Sequence, residues 1–129
     1  MRVLLDSNVL YWYLSDRPKL TPRVLTLLDD GSNDLYVSSA SLWELSIKVA
    51  KGKLTVPGNS IRSFYEQVDR VGITILTVAR SHILRVETLP HYHRDPFDRM
   101  IVAQALEEDL TILTADSDIP KYAARVIWK

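Results

Sequence analysis

The chain contains no cysteine among its 129 residues. Without thiols it has neither disulfides nor cysteine-based zinc sites, and an intracellular location is favoured. No stretch approaches the ~20 consecutive apolar residues that cross a bilayer. The carboxylate of Asp6 interrupts the region where an apolar signal sequence would begin. We therefore expect a cytoplasmic protein with no membrane partner.

The chain also lacks a net charge and the usual nucleotide or nucleophile motifs. Sixteen acids balance sixteen bases, so contact with nucleic acid requires a local basic patch. The four glycines are scattered, and neither a G-x-x-x-x-G-K loop nor a G-x-S-x-G elbow occurs. His91 and His93 form a close pair, but no further histidine or cysteine completes a zinc site. We interpret H-Y-H as an exposed polar loop.

Short apolar runs alternate with segments of helical periodicity along the whole chain, which is typical of an α/β protein. Residues 1–129 are expected to form a single domain, since no linker or repeat interrupts the pattern. The prediction is a three-layer α/β/α sandwich with a mostly parallel sheet of four to five strands. The predicted strands are 2–5, 35–37, 73–76, 111–113 and 126–128, and the predicted helices are 8–14, 22–28, 41–50, 60–71, 79–87 and 96–108.

Four carboxylates follow the predicted strands or begin the helices after them: Asp6, Glu44, Asp98 and Asp116. Ligands of parallel α/β sheets bind at the carboxyl ends of the strands, so these side chains should lie close together. Crowded carboxylates repel each other, and a divalent cation removes that repulsion. Oxygen ligands favour Mg²⁺ or Mn²⁺.

Each of these acids also has a purely structural interpretation. Ser41-Leu42-Trp43-Glu44 fits a capping box in which Glu44 bonds back to the Ser41 N–H, and Glu44 is also spaced to pair with Lys48. The other acids lie where helix or turn caps and first-turn acids are common: Asp6, Asp95, Asp98 and Asp116. A cap and a metal ligand are compatible roles, because a helix N-terminus orients the carboxylate.

Four ordered segments resemble the PIN-domain ribonucleases of the VapC toxin type: RVLLDSNVLYWYL, VSSASLWELSIKVAKGKL, HRDPFDRMIVAQALEEDLTILTAD and the terminal VIW. The resemblance covers nearly the whole chain. It implies a metal-dependent endoribonuclease that hydrolyses RNA phosphodiester bonds with water as nucleophile. It also implies two protein partners, an antitoxin and a second copy of the chain.

The resemblance assigns catalytic and metal-binding roles by position. The four acids of the family site correspond to Asp6, Glu44, Asp98 and Asp116. Asp95 belongs to the D-P-F-D-R pattern, as a cap, an outer-sphere ligand or an alternative ligand. Ser7 stands where relatives carry a small hydroxyl residue that binds a metal-bound water or phosphate.

Contact with RNA phosphates is expected from arginine and lysine side chains. Relatives often carry an arginine where Ala115 stands, and Arg94 and Arg99 are candidates to replace it. Lys48 and the lysines at the exit of its helix are further candidates: Lys48, Lys51 and Lys53. Neighbours on a helix point about 100° apart, so we expect at least one aromatic ring of Tyr11-Trp12-Tyr13 to be exposed, for a base or a partner.

Two other functions fit parts of the sequence. One is a PIN-like fold that has lost catalysis and binds RNA or protein; loss of cleavage in an Asp6→Asn, Asp98→Asn variant would argue against it. The other is a receiver-type magnesium-binding signalling domain. It needs adjacent acids after the first strand and an aspartate after the third, where this chain has Asp6-Ser7-Asn8 and Thr77-Val78.

Overall fold

A computed structural model describes all 129 residues and contains five strands and six α-helices. The strands are β1 (Arg2–Leu5), β2 (Asp34–Ser38), β3 (Thr74–Leu76), β4 (Thr111–Leu113) and β5 (Val126–Ile127). The helices are α1 (Ser7–Ser15), α2 (Pro22–Asp29), α3 (Ser39–Ala50), α4 (Ile61–Arg70), α5 (Arg80–Thr88) and α6 (Pro96–Glu108). The predicted α/β class and all predicted elements are confirmed, with ends shifted by one or two residues.

The sheet is entirely parallel, with strand order β3-β2-β1-β4-β5. Leu5 is in register with Val37 of β2 and with Leu113 of β4. The connections from β1 to β2 and from β2 to β3 move toward one edge of the sheet, and the connection from β4 to β5 moves toward the other edge. The topological switch point therefore lies between β1 and β4. This order differs from the 2-1-3-4-5 order of receiver-type domains.

Each face of the sheet is covered by its own apolar cluster. Val3 and Leu5 point into a cluster of 17 buried residues beneath α1 to α4, whereas Leu4 and Ile112 belong to a cluster of 10 on the α6 side. Alternate residues of β1 therefore pack into opposite layers, as the two-residue period of a strand requires. None of the six helices combines the length and the hydrophobicity needed to cross a membrane.

The start of α3 differs from the prediction. Strand β2 passes into the helix without a loop, because the Ser38 hydroxyl accepts the Ala40 N–H at 3.0 Å and acts as N-cap. Ser41 is therefore already inside the helix, with a buried hydroxyl that has no hydrogen-bond partner. The predicted capping box between Ser41 and Glu44 is wrong.

The aromatic triplet in α1 is more buried than predicted. Tyr13 is buried in the core, and Tyr11 and Trp12 are half-buried. The Tyr11 hydroxyl donates to the Thr55 carbonyl at 2.6 Å, and Trp12 packs against Trp128 with ring centroids 5.9 Å apart. The prediction of an exposed ring in this segment is wrong, because Trp128 packs on Trp12 and the Thr55 carbonyl binds Tyr11.

Candidate active site

A polar cavity of about 290 Å³ opens at the carboxyl edge of the sheet, at the switch point between β1 and β4. All four predicted acids line it, together with Asp95. The full lining is Asp6, Ser7, Asn8, Glu44, Lys48, Asp95, Asp98, Ala115 and Asp116. The sheet topology thus brings together side chains that are up to 110 positions apart in the sequence.

Asp6 directly follows β1 and is almost fully buried. One carboxylate oxygen accepts the Val9 N–H at 2.7 Å, which confirms the predicted N-cap of α1, and the other accepts the Thr114 hydroxyl. Burial raises the pKa of Asp6 to about 6, against the lowering effect of these two hydrogen bonds. The charges of Asp116 and Glu44 raise it further.

Thr114 is a site residue that sequence reasoning missed. Its buried hydroxyl donates to Asp6 and accepts the Asp116 N–H at 3.0 Å. It therefore fixes the acid after β1 relative to the acid after β4. The only sequence signal was a hydroxyl residue at the end of a buried strand, two positions before an aspartate.

Glu44 reaches the cavity from the second turn of α3. Its Oε1 accepts the Ser7 hydroxyl at 2.6 Å, and its Oε2 lies 3.4 Å from the Lys48 ammonium. The predicted Glu44–Lys48 pair is confirmed. Glu44 thus joins α3 to the start of α1, where Ser7 is buried beside Asp6.

Asp95 and Asp98 have different roles at the start of α6. The Asp95 Oδ1 accepts the Phe97 N–H at 2.8 Å and the Asp98 N–H at 3.4 Å, which confirms Asp95 as the N-cap before Pro96. Asp98 stands in the first turn, as predicted. Burial and the charge of Asp95 raise the pKa of Asp98 to about 7, although His93 acts in the opposite direction.

His93 is the second site residue that sequence reasoning missed. Its Nε2 lies 2.9 Å from Oδ2 of Asp116 and 3.3 Å from Oδ2 of Asp98, while its Nδ1 accepts the Asp95 N–H at 3.0 Å. The bridging proton therefore resides on Nε2. Burial acts to lower the pKa of His93, but the hydrogen bond to Asp116 and the two carboxylate charges outweigh it and raise the pKa.

His91, the other member of the pair, is exposed, so the prediction of a polar surface loop holds for His91 and is wrong for His93.

Asp116 is fixed from both sides. Its Oδ1 accepts the N–H groups of Asp118 and Ile119 at 2.7 and 3.1 Å, which confirms the predicted turn cap, and its Oδ2 faces His93. Burial acts to raise the pKa of Asp116, but the bonds from His93 and the two N–H groups keep it below its usual value.

The donor set suits a divalent cation. One ligand atom each from His93, Asp98 and Asp116 all lie within 4.8 Å of one another, and Asp6 and Glu44 line the same cavity. Burial is the main cause that raises the pKa values of Asp6 and Asp98, and neighbouring carboxylate charges add to it; a bound cation would favour their ionised forms. The four carboxylates are oxygen ligands that hard divalent ions accept, and His93, whose Nε2 carries the bridging proton, orients two of them.

Arg99 does not face the cavity. It is 8% exposed, and its guanidinium donates to the carbonyls of Pro90 at 2.8 Å and Val86 at 3.1 Å. It thereby holds the loop between α5 and α6 against the body of the protein. The prediction that Arg99 contacts phosphate is wrong, because its donors are already used beneath this loop. Arg94, by contrast, is exposed near the mouth of the cavity.

Comparison with known proteins agrees with this geometry. The profile described as PIN domain matches residues 3–125. Ribonuclease VapC22 of Mycobacterium tuberculosis is 31% identical over 117 residues, which cover 88% of this chain and 86% of that protein.

Solved structures with a similar fold include VapBC2 from Rickettsia felis bound to a promoter DNA fragment, with a TM-score of 0.74, 19% identity and full coverage of both chains. FitAcB from Neisseria gonorrhoeae has a TM-score of 0.68 and 24% identity, with coverage of 98% of this chain and 96% of that one. Since the PIN profile spans nearly the whole chain and a curated relative exceeds 30% identity, the chain belongs to the PIN-domain family.

Proposed function

We propose that this protein is a metal-dependent endoribonuclease and the toxin of a toxin–antitoxin pair. The observation that carries the proposal is the convergence of four carboxylates on one cavity at the switch point of a PIN fold. The relative VapC22 is named a ribonuclease, and the structural neighbours are VapBC and FitAcB complexes.

In this proposal Asp6, Glu44, Asp98 and Asp116 hold Mg²⁺ or Mn²⁺, and Asp95 orients Asp98 through the α6 cap. When bound, the divalent cation polarises the phosphodiester and offsets the charge that develops on it. The burial of Asp6 and the partial burial of Asp98 strengthen the electrostatic interaction of these carboxylates with a cation.

The remaining polar residues act on these acids or on the RNA. Ser7 fixes the Glu44 carboxylate through its hydroxyl, and Lys48 and Arg94 supply positive charge for the RNA backbone. His93 is a positioning residue that holds the side chains of Asp98 and Asp116 in one orientation. Substitution of a residue that orients metal ligands typically lowers metal affinity by 10- to 100-fold.

The proposed partners are an antitoxin protein and a second copy of the chain. An antitoxin that covers the cavity would exclude RNA from the acids. Induction of the chain alone should arrest bacterial growth, and co-expression of its antitoxin should restore it. Equal growth in both cultures would contradict the toxin assignment, and sedimentation of the isolated chain tests the homodimer.

The cleavage assay uses single-stranded RNA of mixed sequence with Mg²⁺, with Mn²⁺ or with EDTA. We expect cleavage with a metal ion, none with EDTA, and none by Asp116→Asn. Asp118→Asn is the matched control, because Asp118 lies two residues away and its side chain pairs with Lys121 at 2.7 Å outside the cavity. Cleavage that survives EDTA or Asp116→Asn would overturn the proposal.

A further inference from the structure

Lys48 is the only basic residue among those that line the acidic cavity. The other two lysines near the end of its helix, Lys51 and Lys53, line only a neighbouring groove, together with Arg94. The Lys48 side chain is 42% exposed, so its ammonium is accessible to a ligand in the cavity. The cavity thus contains one fixed positive charge among five carboxylates.

Glu44 holds this ammonium at the cavity. Its Oε2 lies 3.4 Å from the Lys48 Nζ, while its Oε1 accepts the Ser7 hydroxyl at 2.6 Å. The Glu44 side chain is only 13% exposed, and a partly buried ion pair is screened less by salt than a pair on the open surface. Both carboxylate oxygens of Glu44 therefore interact with donors of the protein itself.

The acids of α6 and of the segment after β4 are arranged differently. Asp98 and Asp116 lie with His93 in a group whose ligand atoms all come within 4.8 Å of one another, and Glu44 is not part of that group. In a two-metal site the second ion lies about 3.5–4 Å from the first and needs ligands of its own. The geometry offers one close set of acids for an ion, and it offers Glu44 already paired with an ammonium.

We infer that Lys48 takes the place of a second metal ion: the site binds one divalent cation per chain, and the Lys48 ammonium contacts the scissile phosphate. The inference rests on the proposed ribonuclease function and specifies which groups of the site meet the charge of the phosphate. In two-metal sites the second ion stabilises one oxygen of the displacement. An ammonium with three N–H donors supplies positive charge and hydrogen bonds to the same oxygen without metal ligands.

The first test counts the Mn²⁺ ions bound in the absence of RNA, by equilibrium dialysis and titration calorimetry. Wild type should bind one ion per chain. Lys48→Met keeps the length of the side chain but removes its charge, and it should bind a second ion because Glu44 becomes available. The matched control is Lys51→Met, from an exposed position at the end of α3 that does not line the cavity; it should bind one. Two ions in wild type, or one in Lys48→Met, would overturn the inference.

The second test measures the kinetics of RNA cleavage. Lys48→Met should lower kcat by about 100-fold with KM nearly unchanged, as for the loss of a donor to the transition state. Excess Mn²⁺ should restore part of this loss, and Lys48→Arg should keep most of the activity. A raised KM with unchanged kcat would overturn the inference, because Lys48 would then only bind the RNA backbone. If the ion counts are as expected but wild type cleaves no RNA, Lys48 still occupies a metal position and the ribonuclease proposal fails.

Discussion

His82 and His93 are held by the same pair of hydrogen bonds in different surroundings. In each ring Nδ1 accepts a backbone N–H at 2.9 to 3.0 Å, and Nε2 lies 2.8 to 2.9 Å from a carboxylate oxygen. His82 is 1% exposed and has one carboxylate partner, Glu108.

His93 contacts two carboxylates, Asp98 and Asp116, and both line a cavity together with three further acids. Local bonding of the imidazole therefore does not distinguish a structural histidine from one in a candidate active site. The difference is the number of carboxylates around the ring and the access of solvent to them.

The largest difference is expected in RNA cleavage, between variants of the two carboxylate partners Asp98 and Glu108. Asp98→Asn should lower RNA cleavage by more than about 100-fold, the upper end of the range for residues that only orient metal ligands. Glu108→Gln should keep cleavage near the wild-type rate, because Glu108 is remote from the cavity lining. Cleavage rates of both variants at saturating metal measure this. Similar losses in the two variants would remove the distinction between the two histidine environments.

Substitution of the two histidines should have different effects on metal affinity. His93→Ala should weaken Mg²⁺ or Mn²⁺ binding by roughly 10- to 100-fold, since Asp98 and Asp116 lose the donor that orients them. His82→Ala should bind metal as wild type does. Isothermal titration with metal alone provides the readout, and the exposed His91→Ala serves as a control from the same loop. An unchanged affinity in His93→Ala would show that the ring does not position the acids.

The free energy of unfolding should fall more in His82→Ala than in His93→Ala, the reverse of the effect on metal affinity. His82→Ala should cost about 3 kcal/mol, because it leaves a buried cavity and removes the acceptor for the Ala79 N–H. His93→Ala should cost about 1 kcal/mol, because its site is open to water and the two acids then bind solvent. Urea unfolding of the metal-free proteins measures both, and a larger loss for His93→Ala would contradict the expectation.

The acidic cavity should also make the metal-free protein sensitive to pH. Asp98 and Asp6 have folded pKa values of about 7 and about 6, above their ordinary value of 3.8. From about pH 4 to pH 7 the folded chain therefore binds more protons than the unfolded chain, and the free energy of unfolding falls as pH rises. At about 1.36 kcal/mol per pKa unit the two shifts correspond to a fall on the order of 7 kcal/mol, which the lowered pKa of Asp116 partly opposes.

Asp98→Asn should flatten this dependence, and millimolar Mg²⁺ should stabilise wild type at pH 8 more than the variant. Thermal melting across this pH range, with and without Mg²⁺, measures both effects. A profile that rises with pH in metal-free wild type, or an identical metal response in both proteins, would show that Asp98 is only part of the helix cap.

Local rules in the sequence predicted most of the architecture. Short apolar runs separated by helical periods predicted the five strands and six helices, and Asp6 and Asp95 cap helices where their residue types predict it. The acids of the cavity were also predictable, because residues after parallel strands gather at one edge of the sheet. Their metal-binding and catalytic roles remain predictions.

Tertiary packing determined two other features. The start of α3 moved to Ser38 because β2 continues into the helix without a loop, and this freed Glu44 to bond with Ser7. The Arg99 guanidinium points away from the cavity because it donates to backbone carbonyls at and near the loop between α5 and α6. The spacing of residues in the sequence does not reveal that these carbonyls lie close to it.

The class of fold, the helix caps and the edge of the sheet at which the acids meet are predictable from the sequence, because they follow from short-range periodicity and from the geometry of parallel strands. The packing of the layers brings His93, and not His91, into contact with Asp98 and Asp116, and it places Arg94 in the lining of the same groove as Lys51 and Lys53. Such contacts join distant segments, so their distances depend on how the layers pack and are not encoded in any local pattern.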